Sequence, residues 1–166
     1  MHYLIDGHNL IAQMSDIQLS DPDDEEQLVR RLRGWMAAGR KRRITLFFDG
    51  GLPGGRDPHI SGGSLTVIFA SVGRDADSLI IRRISKIRNA PEYTLVSSDR
   101  SIVAVARSRG MPVVDSHSFA RAMEDEAQER GAAGIDLPTK ENPMLDANDV
   151  ARWLDIFGGE DEKKNK

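Results

Sequence analysis

Aspartates follow several of the apolar runs in this sequence, and two more open a segment with helical periodicity. Asp6, Asp49 and Asp99 come after the runs, and Asp75 and Asp77 precede residues with helical periodicity. If the apolar runs are parallel strands, their carboxyl ends meet at one edge of a sheet and the acids gather there. Neighbouring carboxylates repel each other, and a bound divalent cation offsets that repulsion.

The surrounding residue types favour a hard cation. Carboxylates with polar oxygen neighbours suit Mg²⁺ or Mn²⁺ better than zinc, and the chain has no cysteine and only four histidines. Such a cation generates hydroxide from water and neutralises charge on a phosphoryl group. The sequence therefore predicts metal-assisted hydrolysis with Mg²⁺ or Mn²⁺.

Each acid also has a structural explanation. Asp75 and Asp99 are placed to cap helices, and Asp77 lies in a first helical turn, where acids are favoured. Asp6 and Asp49 each precede glycine in an ordinary turn dipeptide. Several acids at the same end of three or four strands are harder to explain by capping and turns alone, so we favour a common site.

The elements that must position these acids alternate along the chain, which predicts a parallel sheet with helices on both faces. The predicted strands are 2–5, 44–48, 65–69, 93–96 and 111–114. The predicted helices run from the acidic segment 20–26 to Gly39, from Asp75 through Ile87, from Asp99 to about Arg109, and over 117–130. The pattern does not place the third strand, because the segment before it, 50–63, is rich in glycine rather than helical.

The C-terminal part has a different character. The sequence predicts a core domain over 1–130, a linker over 131–145, a short amphipathic helix over 146–158 and a disordered tail over 159–166.

The net charge of −3 is unevenly distributed. Residues 1–115 hold 16 Lys and Arg against 14 Asp and Glu, whereas residues 116–166 hold 7 against 12. Clustered basic residues are either solvated helix faces or a basic surface for nucleic acid. The candidates for such a surface are Arg40, Lys41, Arg42, Arg43, Arg82, Arg83, Lys86 and Arg100.

Several classes of protein are disfavoured. The N-terminus lacks the basic and long apolar regions of a secretory signal, and no apolar run is long enough for a membrane span. The sequence has neither a Walker loop nor a dinucleotide-binding glycine motif. We expect a cytoplasmic protein with no membrane and no nucleotide cofactor, and the sequence leaves the oligomeric state open.

Four motifs, taken in order, resemble those of NYN domains, a branch of the PIN-like nuclease superfamily. They are Leu4-Ile5-Asp6-Gly7-His8-Asn9, Phe47-Phe48-Asp49-Gly50, Asp75-Ala76-Asp77-Ser78 and Val96-Ser97-Ser98-Asp99-Arg100. Their order and spacing most resemble the YacP-like group, over roughly residues 1–127. One position departs from the pattern, because Ser78 stands where many relatives carry a second acid.

The resemblance implies a PIN-like three-layer α/β/α fold with a central, mostly parallel sheet, and Mg²⁺- or Mn²⁺-dependent endoribonuclease activity. By this resemblance Asp6, Asp77 and Asp99 are metal-binding and catalytic acids, and Asp49 is a further metal-binding acid of the site. Asn9 is the catalytic polar residue after the first aspartate. Asp75 and Ser98 are second-tier site residues.

The resemblance also implies RNA as the partner, with messenger RNA on the ribosome as a context, and the basic clusters would hold RNA phosphates. The main alternative is a non-catalytic RNA- or ribosome-binding module in which the acids serve as caps and turns. A flap-type DNA nuclease is disfavoured because no segment is long enough for a helical arch. A small-molecule phosphohydrolase is disfavoured because Asp6 is not followed by a second aspartate two residues later.

Overall fold

The computed structural model describes residues 1–38, 41–50 and 54–132. In chain order the elements are β1 (His2–Asp6), α1 (Gly7–Ile11), α2 (Asp24–Ala38), β2 (Arg43–Phe48), β3 (Gly55–Arg56), β4 (Leu65–Phe69), α3 (Ala76–Lys86), β5 (Tyr93–Val96), α4 (Arg100–Ser108), β6 (Val113–Val114) and α5 (Ser116–Ala132). A short 3₁₀ turn, Ala90–Glu92, precedes β5. The predicted linker 131–145 begins inside α5, which ends at Ala132. The rest of that linker, the predicted helix 146–158 and the predicted tail 159–166 lie outside the described residues.

The six strands form one sheet in the order β3-β4-β2-β1-β5-β6. Every neighbouring pair is parallel except β3 with β4. His2 pairs with Arg43 on one side and with Tyr93 on the other, so the three central strands begin level with one another. The predicted mostly parallel sheet is confirmed, and the strand that the sequence left unplaced, β4, lies beside β2.

Helices cover both faces of the sheet, which confirms the predicted three-layer arrangement. Side chains alternate along β1, so Leu4 packs with α3 and α4 whereas Ile5 packs with α1, α2 and α5. Both layers are built from fully buried aliphatic and aromatic side chains. Among the described residues, no helix is both long and apolar enough to cross a membrane.

Three local features differ from the sequence-based expectation. The residues after Asp6 form the short helix α1 rather than a turn, and Gly7 is packed so closely on Phe48 that a Cβ at Gly7 would lie 2.2 Å from the Phe48 ring. The last strand is only Val113–Val114, because the preceding Pro112 has no N–H to donate to a ladder. The glycine-rich segment contributes the two-residue antiparallel strand β3.

Candidate functional site

The candidate site lies at the carboxyl edge of the sheet, the edge where the parallel strands end. The chain proceeds from β1 to β2 and β4 on one side, and then returns to place β5 and β6 on the other. The point between β1 and β5 is therefore a topological switch point, where ligands bind in open α/β sheets. Asp6 ends β1, and Ser97-Ser98-Asp99 follows β5, so both flank this point.

Asp6 is the most buried acid of the site, with 6% of its surface exposed. It caps α1 by accepting a 3.3 Å hydrogen bond from the Asn9 N–H, and Ser97 Oγ donates a 3.2 Å bond to its other oxygen. Burial raises the pKa of Asp6 to about 6. The two hydrogen bonds oppose that rise, and the charges of Asp77 and Asp49 add to it.

Asp77 lies in the first turn of α3 and is also close to other carboxylates of the site. Burial raises its pKa, and the carboxylates of Asp99, Asp75 and Asp49 raise it further. The acids that the sequence predicted to converge are therefore close enough to repel one another. Among residues 1–38, 41–50 and 54–132, no Lys or Arg forms an ion pair with Asp6, Asp77 or Asp99.

Asp99 caps α4 and also belongs to the site. Its Oδ1 accepts from the Ser101 N–H at 2.8 Å, from Ser101 Oγ at 2.5 Å and from the Ile102 N–H at 3.2 Å. These bonds lower its pKa. In the described part of the chain no hydrogen bond reaches Asp99 Oδ2, so the capping role leaves one oxygen for a ligand.

Asp49 is tied to the neighbouring elements at this edge. Its Oδ1 accepts a 2.6 Å bond from the Ala76 N–H, which fixes the start of α3 beside β2. Its Oδ2 lies 3.6 Å from His8 Nδ1, and His8 Nε2 lies 3.5 Å from Glu25. Neither His8 nor Glu25 was predicted as a site residue. The sequence does not distinguish Glu25 from its neighbours, because it belongs to a helix start rich in acids.

Asp75 is mainly a helix cap. It is exposed and its Oδ1 accepts a 2.7 Å bond from the Ser78 N–H. Hydrogen bonds from Ser78 lower its pKa. Asp75 still contributes charge next to Asp77, but its carboxylate is committed to the α3 N-terminus.

Asn9 holds three elements together at the site. Its Oδ1 accepts from the Ser98 N–H at 2.9 Å and from Ser116 Oγ at 2.7 Å, and the Ser116 N–H donates to Ser98 Oγ at 3.1 Å. The network fixes the loop that carries Asp99. Ser116 was missed by the sequence analysis, although its place directly after a predicted parallel strand put it at the same edge.

The donor set fits a hard divalent cation in chemistry but is not arranged around a single point. Within the described ranges, no three His, Asp or Glu side chains lie together as a ready-made set of metal ligands. Asp6 and Asp99 are instead turned toward helix N-termini. Among the described residues no Lys or Arg pairs with Asp6, Asp77 or Asp99, so these three carboxylates are the ones that could hold Mg²⁺ or Mn²⁺.

Most of the predicted RNA-binding residues lie away from these acids. Arg43 begins β2 and Lys86 ends α3, at the opposite edge of the sheet. Arg42 is engaged with the protein itself: its guanidinium bonds the Trp35 carbonyl at 2.6 Å and Glu126 at 3.1 Å.

The remaining predicted RNA-binding residues take several positions. Arg100, at the start of α4, lies next to the acids and is exposed. Arg82 and Arg83 lie in the second half of α3, and Lys41 lies just before β2. Arg40 lies outside the described residues.

A mostly parallel sheet with helices on both faces and acids at its switch point matches the fold of PIN-like nucleases. The family model described as the YacP-like NYN domain matches residues 3–151. The chain therefore belongs to the YacP-like NYN domain family, whose wider superfamily generally uses divalent metal ions.

Solved structures show the same fold. This chain matches the crystal structure of Rae1 (YacP) from Bacillus subtilis with a TM-score of 0.64 and 19% sequence identity. The match covers 95% of this chain and 91% of that chain. A mutant of the same protein is 17% identical, with a TM-score of 0.62, covering 80% and 79%. No curated protein matches this chain.

Proposed function

We propose that the protein is a metal-dependent endoribonuclease. In this proposal Asp6, Asp77 and Asp99 hold Mg²⁺ or Mn²⁺, and Asp49 supports the site. The observation that carries it is the cluster of mutually repelling carboxylates, unpaired by Lys or Arg among the described residues, at the switch point of the sheet. A buried carboxylate whose pKa is raised to about 6, beside other acids at a switch point, is a feature of functional sites.

The bound cation would activate water and neutralise charge on the scissile phosphodiester. The chain's own residues prepare that site. Ser97 and the Asn9 N–H hold the Asp6 carboxylate in one orientation, and Asn9 also fixes the loop of Asp99 through Ser98. We expect products with 5′-phosphate and 3′-hydroxyl ends.

RNA is the substrate class that we propose, because NYN domain relatives act on RNA. Two finer parts of the proposal, messenger RNA on the ribosome and a cytoplasmic location, are supported by the family resemblance and by the sequence features described above.

Asp99→Asn tests the proposal, because asparagine caps a helix as well as aspartate does. The variant should fold normally and lose RNA cleavage in Mn²⁺ by about 100-fold or more, since several kcal/mol of charge stabilisation is removed. Asp115→Asn is the matched control. Asp115 also follows a parallel strand and caps the next helix, accepting a 2.9 Å bond from the Ser118 N–H, but its charge does not raise the pKa of Asp6 or Asp77.

The assay compares free RNA with ribosomes carrying messenger, in Mn²⁺ and in EDTA. Cleavage that needs Mn²⁺, survives in Asp115→Asn and disappears in Asp99→Asn supports the nuclease. Cleavage only on ribosomes would support the ribosomal context. Undiminished cleavage by a correctly folded Asp99→Asn would rule out the assigned site.

A second candidate is a non-catalytic RNA- or ribosome-binding module. One observation favours it: Asp6, Asp75 and Asp99 all cap helices, and within the described residues no three acids form a ready metal site. This alternative predicts RNA or ribosome binding that is indifferent both to EDTA and to Asp99→Asn, with no cleavage in any condition.

A further inference from the structure

The edge of the sheet opposite the acids is strongly basic. β1, β2 and β5 begin there at His2, Arg43 and Tyr93, and α3 ends beside them at Lys86. Asp49 lies six positions after Arg43, just beyond the end of β2, and at 3.3 Å per residue the two edges lie about 20 Å apart. This amino edge is therefore a separate surface from the carboxyl edge.

Cations converge on this edge from two elements. Arg43 comes from β2, and Arg83, Lys86 and Arg88 come from the end of α3 and the residues after it. All four are exposed, and no carboxylate in the described ranges forms an ion pair with any of them. We call these four residues the basic edge.

His2 lies beside the basic edge, and the pKa of its side chain responds to the charges of that edge. It stacks on Tyr93 with ring centroids 4.7 Å apart, and its Nε2 lies 2.9 Å from Thr45 Oγ1. Burial lowers the pKa of His2, and the charges of Arg83, Arg43 and the N-terminal amine lower it further. The positive charges of the two elements therefore act on the same point.

A cleft of about 330 Å³ opens within the basic edge. Its lining includes Arg83, Lys86 and Arg88, and Glu92 is the one acid among the described residues that lines it. The Glu92 carboxylate already accepts a 2.5 Å bond from Asn89. The cleft thus offers cationic groups that are free to meet an anion.

Helix-end electrostatics explains only part of this arrangement. Basic residues such as Arg83 and Lys86 are favoured in the last turn of α3 by the helix dipole. Arg43 belongs to a strand and gains nothing from that dipole. Because β2 and α3 both contribute cations, the arrangement favours binding of a polyanion that spans both elements.

We propose that the basic edge is a second RNA-binding surface, which holds the phosphate backbone about 20 Å from the carboxylates. The choice of RNA rests on the proposed function. RNA long enough to reach both edges then binds tighter than RNA that reaches only one, because the second contact forms within the same complex. The surface reads backbone charge and not sequence.

The test measures RNA binding in EDTA, where cleavage is blocked, over a series of salt concentrations. Arg83→Gln/Lys86→Gln removes two cations that make no hydrogen bond or ion pair within the described residues. Each lost phosphate contact on a single strand lowers the salt slope by about 0.7, so the double variant should lose about 1.4 and bind long RNA at least tenfold more weakly. Arg121→Gln is the control, because Arg121 is an exposed arginine on α5 that makes no hydrogen bond or ion pair within the described residues. Its loss per removed charge is compared with that of the double variant.

A smaller slope in Arg83→Gln/Lys86→Gln alone supports the second surface. Equal losses of salt slope in the two variants, no loss in either, or no RNA binding at all in EDTA would overturn this proposal. If RNA binds the double variant as tightly as the wild type, the basic edge would have another partner, such as an acidic protein. Absence of cleavage in Mn²⁺ with the binding difference intact would overturn the nuclease proposal and leave the basic edge standing.

Discussion

Ser97 Oγ donates a 3.2 Å hydrogen bond to Asp6 Oδ2 and thereby joins the carboxyl ends of two adjacent parallel strands. Ser97 is fully buried and Asp6 is nearly so. This bond stabilises the ionised carboxylate, yet burial and the neighbouring acids still raise the pKa of Asp6 to about 6. The ionised form of Asp6 therefore destabilises the metal-free fold, and a cation at the site would relieve that cost.

Asp6→Asn should make the metal-free protein more stable at neutral pH. The folded pKa, about 6, lies above the ordinary 3.8, so the folded state binds the proton more tightly and this group's contribution to stability falls as pH rises from about 4 to about 6. At pH 7 the cost amounts to about 3 kcal/mol. Urea unfolding in EDTA should be measured from pH 4 to pH 8. The free energy of unfolding of Asp6→Asn should exceed that of the wild type by an amount that grows between about pH 4 and about pH 6.

Asp115→Asn should behave in the opposite way. Hydrogen bonds from Ser118 lower the pKa of Asp115, so its contribution is present above its ordinary pKa and is lost as the pH falls through the lowered value. The variant should be slightly less stable than the wild type at neutral pH. If both variants lose stability at pH 7, Asp6 is not the source of instability that its burial indicates.

Metal binding should weaken as pH falls through about 6. Protons compete with a cation for the Asp6 carboxylate. Mn²⁺ should raise the Tm of the wild type at pH 7.5, by mass action on the folded state, and raise it much less at pH 5. Asp77→Asn should lose most of the gain at pH 7.5. An equal Mn²⁺ effect in wild type and Asp77→Asn would place the metal elsewhere.

The convergence of Asp6, Asp49 and Asp99 could be predicted because each follows an apolar run, and parallel strands place such positions at one edge. The Asn9 network could be predicted only in part. Asn9 itself lies in a recognisable motif, but its contact with Ser116 joins positions 107 residues apart. Nothing local to Ser116 indicates which side chain it will meet.

The basic clusters show a limit of a different kind. Arg42 and Arg43 are neighbours in the sequence, but Arg42 packs on Trp35 whereas Arg43 is exposed. The partner that neutralises Arg42, Glu126, is 84 residues away. A run of basic residues therefore predicts charge, but it does not predict which members are already paired within the fold.

Ser116→Ala should destabilise the protein by about 1 kcal/mol, because it removes one buried hydrogen bond to Asn9. It should also reduce kcat severalfold with little change in KM. The loop that carries Asp99 would lose its indirect link to Asn9 through Ser116 and keep only the direct bond from Ser98, and the Ser116 side chain is fully buried. Ser85→Ala, at an exposed helical serine that bonds only its own helix, is the control. A stability loss without any change in kcat would show that Ser116 has only a structural role.

Arg42→Gln should destabilise the protein, whereas Arg43→Gln should not. The Arg42 guanidinium lies 3.8 Å from the Trp35 ring centroid and bonds both Glu126 oxygens at 3.1 Å. Its side chain is only 20% exposed, so its loss removes a partly buried cation and leaves Glu126 with Arg130 as its remaining partner. We expect a loss of about 1–3 kcal/mol for Arg42→Gln and less than about 0.5 kcal/mol for Arg43→Gln.

In RNA binding, Arg43→Gln should have the larger effect and Arg42→Gln the smaller, which is the reverse of their effects on stability. Arg43→Gln should lower the salt slope of RNA binding by about 0.7, because an exposed cation of the basic edge is removed. Arg42→Gln should leave the slope unchanged, because the Arg42 guanidinium is already held by Glu126 and the Trp35 ring. Unfolding curves and salt titrations on the same two samples separate the effects. A reduced slope in Arg42→Gln would mean that RNA competes with Glu126 for this arginine.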